Sequence, residues 1–154
     1  MSMNIRKAVL SDLSTLVENN IKLAEESESI VLNKTTVESA VKHLLQDPQK
    51  GFYLIAEEQN QIIGQLMITF EWSDWRDTTI WWIQSVYVNK ENRKQGVFNH
   101  LLNKLKELAK LEKINLFRLY VHDSNTKAIA VYDHIGMKQK TYKIFETDLE
   151  NISK

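Results

Sequence analysis

The chain has 154 residues, with 20 Lys and Arg against 20 Asp and Glu and no Cys, a length that suits one core and one domain over residues 1–154. Its zero formal charge excludes the electrostatic footprint of a general nucleic-acid binder, and the missing Cys excludes disulfides, thiolate zinc sites and a thiol nucleophile. No apolar run reaches the ~18 residues of a membrane span, and residues 1–10 lack the apolar region of a signal peptide, so a cytoplasmic protein with no membrane partner is expected.

Asn4 to Ala8 reads as a short strand, and Ser11 as the cap of a helix carrying Leu13, Leu16, Val17, Ile21 and Ala24 at helical spacing. Glu25, Glu26 and Glu28 interrupt that pattern, placing a loop or helix end there. A second helix starts near Thr35 or Thr36 and runs through Val41 and Leu44 until Asp47-Pro48 stops it. From Gly51 the period changes to strands. Phe52 to Ala56 and Ile62 to Phe70 form a hairpin across the polar turn Glu57 to Gln61. Glu71 to Asp77 is a polar connection bearing Trp72 and Trp75. Thr79 to Val88 is apolar on both faces, as a central covered strand is.

Asn89 to Gln95 is polar, and Val97 to Ala109 then repeats Leu and Val at three and four residues, the pattern of an amphipathic helix. Asn115 to Val121 reads as a strand. Asp123 or Ser124 caps a final helix through Ala128, Val131, Tyr132 and Ile135, which Gly136 ends in a left-handed cap. Met137 to Thr147 returns as a last strand.

The strand Val86-Tyr87-Val88 runs through Arg93-Lys94-Gln95-Gly96 into the helix opened by Val97, Phe98 and Asn99. Unpaired N–H groups at a helix start suit an anion such as pyrophosphate, Gly96 permits close backbone approach, and Arg93 and Lys94 add charge. The alternative is an ordinary connection with a solvated basic loop. Further on, Asn125, Ala128, Tyr132 and Gly136 are spaced by three, four and four residues, and the first three share a helical stripe.

With this element order, Arg93-x-x-Gly96-x-Phe98 and the Asn125 to Gly136 spacing, the chain resembles the GNAT superfamily of N-acetyltransferases. Phe98 stands where that family prefers Gly or Ala, and its ring is expected to turn into the sheet or along the pantetheine arm. The resemblance implies an α/β fold with a mixed, mostly antiparallel sheet and about four helices, whose two splayed parallel strands form an acyl-CoA cleft. It implies acetyl-CoA as co-substrate, held by main-chain groups of Val86 to Val88 and by the loop Arg93 to Asn99, with Asn125 on the arm. A backbone N–H near Val86 polarises the thioester carbonyl, and Tyr132 is the general acid, although an aromatic on a helical stripe is equally a core residue.

Attack needs a neutral amine, and Gln84 occupies the central-strand position where many relatives carry a carboxylate base. Glu71 and Asp74 are the candidate bases, with Glu71 otherwise paired to Arg76. Trp72, Trp75 and Arg76 line an acceptor pocket or a dimer contact. Glu25 and Glu28, with Glu26, border a cationic acceptor or form a solvated face. His43, His100, His122 and His134 show no metal-ligand spacing, so no metal is expected. The reading is an acetyl transfer to a small-molecule or peptide amine, with a possible homodimer. Its alternatives are a non-catalytic CoA-binding module and an acyltransferase with a longer donor or a hydroxyl acceptor.

Overall fold

The computed structural model describes residues 2–152 and divides into two compact units, one up to Tyr120 and one from Val121. In the first unit, β1 (Asn4–Lys7), β2 (Gly51–Glu58), β3 (Gln61–Ser73), β4 (Thr78–Val88) and β5 (Phe117–Arg118) form one sheet in the order β1-β2-β3-β4-β5. The first three pairings are antiparallel and β4 with β5 is parallel. The sheet is therefore mixed and mostly antiparallel, as expected.

Because side chains alternate across a strand, the sheet buries two faces. Tyr53 and Ile55 pack with Leu16 and Val17 of α1 (Leu13–Glu28) and Val41 and Leu44 of α2 (Lys34–Gln46). α3 (Val97–Leu111) buries Val97, Leu101, Leu102, Leu105 and Ala109, and it packs on β1, β2 and β3. Trp81 is fully buried against Phe52, Phe70 and Phe117, whereas Trp82, its neighbour on the other face, is half-buried.

Local chemistry corrects several expected boundaries. α1 is not capped by Ser11: a short 3-10 turn, Leu10–Asp12, precedes it, and Asp12 accepts the Val9 N–H at 2.8 Å. Asn33 caps α2 by accepting from the Thr36 N–H. The hairpin turns at Gln59 and Asn60, both with positive φ, as tight two-residue turns require. Glu71 to Ser73 belong to β3, not to the connection, which is reduced to residues 74–77. The strand expected over Asn115 to Val121 pairs with β4 only through Phe117 and Arg118.

The second unit holds α4 (Thr126–His134). Its cap is neither Asp123 nor Ser124 but Asn125, whose Oδ1 accepts from the Ala128 N–H. Gly136 ends it at φ +91°, as the sequence predicts. Met137 to Thr147 forms no strand, because the alternating pattern there finds no backbone ladder partner among the described residues.

Candidate active site

Two features of β4 define the site in the first unit. First, β4 and β5 share only the rungs Trp81 with Phe117 and Trp82 with Arg118. From Ile83 to Val88, β4 has no strand on that side among the described residues, so its edge is open to a strand-like ligand. Second, Met67 pairs with Gln84 and Gln65 with Tyr87, so Ser85 and Val86 together oppose Leu66. This is a bulge, and Ser85 sits at φ +51°, which re-aims the local backbone.

β4 then leads into the polar loop. Asn89 anchors the loop to β3 through its N–H on Ile63 and its side chain on Ile62, and Gln95 closes it by donating to the Glu91 carbonyl. Lys94 and Gly96 both take positive φ, and Gly96 is the N-cap of α3. No side chain caps α3, in contrast to α2 and α4, and the positive end of a helix dipole favours an anion. Phe98 is half-buried one residue into the helix.

Gly64, which the sequence leaves without a role, places that helix end. A Cβ there would lie 2.7 Å from Val97 Cγ1, so the absent side chain lets the first turn of α3 rest on β3. The only sequence signal was a glycine inside a strand pattern.

Arg93 is occupied differently from the expectation. Its Nη2 donates to Glu26 at 2.7 Å, its Nε donates to the Val88 carbonyl at 2.9 Å, and its guanidinium lies over the Tyr87 ring. Lys90 reaches the same carboxylate at 3.4 Å, and the Tyr87 hydroxyl donates to it. Burial works to raise the Glu26 carboxyl, but the Arg93 bond and the charges of Arg93 and Lys90 outweigh it and hold the carboxyl below its ordinary value. Glu26 is thus tied to the loop after β4 rather than standing in a free acidic cluster. Glu25 and Glu28 are exposed. A cavity of about 570 Å³ beside this clasp is lined by Lys22, Glu25, Glu26, Tyr87, Asn89, Lys90 and Glu91.

Glu71 does not pair with Arg76. Its Oε2 accepts from Arg118 Nη1 at 2.8 Å and from Trp82 Nε1 at 3.1 Å. Those donors are the two residues of the last β4–β5 rung, so Glu71 fastens the strands where they part. It lies opposite Ile80, six positions before Val86, or about 20 Å at the usual strand rise. Asp74, Trp75 and Arg76 sit exposed on the turn at the far end of β4, and Trp72 is exposed at the end of β3. The structure does not bring these residues to the bulge.

In the second unit Tyr132 lies on α4 and is half-buried; burial pushes its phenol above the ordinary value of 10. Asn125 commits its carbonyl oxygen to the cap.

A mixed sheet with a bulged strand, one unpaired edge and a helix start without a side-chain cap sets a place for a strand-like ligand beside a place for an anion. The profile of the Acetyltransferase (GNAT) family matches residues 18–137, and the chain belongs to that family. A pig thialysine N-epsilon-acetyltransferase is 31% identical over 80 residues, 52% of this chain and 46% of that protein, and the matched region thus spans about half the length of the curated relatives. A possible acetyltransferase of Clostridium difficile 630 is 39% identical with a TM-score of 0.89, covering 97% of this chain and 99% of its own. A predicted acetyltransferase of Clostridium acetobutylicum, solved with acetyl-CoA, is 25% identical with a TM-score of 0.79 over 97% and 99% of the two chains.

Proposed function

We propose that the chain transfers the acetyl group of acetyl-CoA to a primary amine by direct attack, without a covalent enzyme intermediate. The observation that carries this reading is the meeting, along one strand and its following loop, of an open β4 edge, the Ser85–Val86 bulge and the uncapped start of α3. The solved relative with acetyl-CoA supports the choice of co-substrate.

Bound acetyl-CoA supplies an acyl thioester whose carbonyl carbon accepts the amine. Main-chain groups of Val86 and Val88 pair with the pantetheine amides, and the N–H groups of Gln95 to Asn99 cradle the pyrophosphate with Lys94 adding charge. Asn125 contacts the arm through its amide nitrogen. The Val86 N–H polarises the thioester carbonyl as the tetrahedral oxyanion forms.

A primary amine resembles lysine, with a pKa of ~10.4, and must lose a proton before attack. With Glu71 engaged by Arg118 and Trp82, that proton leaves to water. Tyr132 gives its phenolic proton to the departing thiolate, and its raised pKa keeps the proton in place until then. The thialysine acetyltransferases among the relatives and the exposed Glu25 and Glu28 favour a cationic side-chain-like amine as acceptor.

Calorimetry with acetyl-CoA, followed by thiol release across an amine panel, tests this. Binding with release is expected. No binding by folded protein removes the reading, and binding without release to any amine assigns a CoA-binding module instead.

A further inference from the structure

Beneath the bulge lies a polar network in an otherwise apolar layer. Tyr53 and Gln65 are almost wholly buried, at 2% and 0% exposed, as is Asn19. Gln65 Oε1 accepts from Asn19 and Gln65 Nε2 donates to Asn20, both at 2.9 Å. Asn20 Nδ2 in turn donates to the Tyr53 hydroxyl at 2.9 Å. The network reaches one residue: Ser85, whose carbonyl accepts from Gln65 Nε2 at 3.5 Å and whose side chain adjoins the Tyr53 hydroxyl. Burial pushes the Tyr53 phenol up against the effect of Asn20 and Ser85, so it stays neutral. No buried side-chain nitrogen or oxygen among the described residues lacks a partner.

Apolar residues of similar shape would fill this layer at less desolvation cost. What the polar set adds is a grip on Ser85, which stands at φ +51°, a conformation that side chains disfavour and that inside a strand no turn supplies. The bulge also takes Ser85 out of the regular β3 register, leaving its backbone to find partners elsewhere.

We propose that Tyr53, with Gln65 behind it, is a positioning residue for acetyl transfer: through Ser85 it holds the bulge in the shape from which the Val86 N–H meets the developing oxyanion. This rests on the acetyltransferase reading above. Two side chains from α1, one from β2 and one from β3 thus act on the chemistry without touching substrate.

Tyr53→Phe keeps the ring and removes the oxygen. It is expected to lower kcat about tenfold, part of the loss seen when an oxyanion donor is removed outright, with KM for acetyl-CoA within about twofold. Ser85→Gly in that background is expected to restore kcat to within about threefold, because glycine takes positive φ unaided. In the ligand-free, isotope-labelled protein, the Val86 amide resonance should shift in Tyr53→Phe and return toward its original position in the double variant.

An unchanged kcat with an unmoved Val86 amide overturns the proposal, as does a loss of kcat that Ser85→Gly leaves unrestored. If Tyr53→Phe fails to fold, Ser85→Ala removes the other half of the same contact at a half-buried position, and the same loss is expected. If the unaltered chain acetylates no amine, the functional reading fails, while the Val86 resonance still decides whether the network holds the bulge.

Discussion

The guanidinium of Arg93 and the carboxylate of Glu26 stand 2.7 Å apart, so the cation expected to meet a phosphate is neutralised from the last turns of α1. Lys90 shares that carboxylate. The loop therefore presents less positive charge than its sequence suggests, and the proposed pyrophosphate binding leans on backbone N–H groups and Lys94. Glu26→Gln should tighten acetyl-CoA binding about threefold at low salt, the scale of a partly exposed charge, with the gain fading as salt rises. Calorimetry at two ionic strengths checks both sign and fading; weaker binding would mean that the clasp orders the loop instead.

Gly64 and Val97 set a second test. A methyl group at Gly64 would stand 2.7 Å from a stiff valine side chain, and overpacking of this kind costs about 1–3 kcal/mol. Gly64→Ala should lower stability by that amount and weaken acetyl-CoA binding, because the displaced element is the start of α3. Gly64→Ala with Val97→Ala should recover the binding. Urea titration and calorimetry on both variants separate a shifted helix from general destabilisation.

Periodicity made much of this legible. The Leu and Val spacing from Val97 to Ala109 foretold α3, Gly136 ended α4, and Arg93 to Gly96 marked the loop between strand and helix. What stayed hidden depends on distant partners. Arg93 meets Glu26 across 67 positions, and Glu71 meets Arg118 across 47; no local pattern chooses these over Lys94 or Arg76. Ser85 takes positive φ without being glycine, because side chains from α1, β2 and β3 hold it. The strand expected over Met137 to Thr147 does not form, because a strand also needs a ladder partner, which no local sequence supplies.

Asp12 links the fold to pH. Its carboxylate is 8% exposed and accepts from both Arg6 nitrogens at 2.8 and 3.0 Å. The Arg6 bonds hold its carboxyl below the ordinary value, burial opposes them and the Val9 N–H assists. Since the folded value is depressed, the stabilisation is present above the unfolded value of about 3.9 and is lost as pH falls below it. Asp12→Asn should cost about 2 kcal/mol at neutral pH, the scale of a hydrogen bond to a charged group. The deficit should shrink as urea titrations approach about pH 3, and a deficit independent of pH would refute the assignment.

Glu71 separates strand anchoring from proton abstraction. An amide at this position keeps an oxygen for Trp82 and Arg118 but has no basicity, whereas Ala loses both. If Glu71 fastens β5 to β4, Glu71→Ala should raise KM for acetyl-CoA several-fold, with Glu71→Gln closer to the unaltered chain. A base would show the opposite order, with Glu71→Gln losing about 10²-fold or more in kcat. Steady-state kinetics on the two variants decide between them.

Tyr132 is the proposed general acid. Its phenol is pushed above 10 by burial, and a general acid must be protonated when the thiolate leaves. The raised pKa therefore keeps it competent throughout the neutral and mildly alkaline range, and the rate should show no decline attributable to it below about pH 10. Tyr132→Phe keeps the ring and its packing while removing the proton. It should lower kcat by about 10²-fold, within the usual span for a positioned acid, and leave the acetyl-CoA dissociation constant within about threefold. The loss should be smaller for acyl donors whose leaving thiol is more acidic, since a better leaving group needs less help from a proton. Equal turnover in Tyr132→Phe, or a loss confined to acetyl-CoA affinity, would show the side chain to be packing rather than acid.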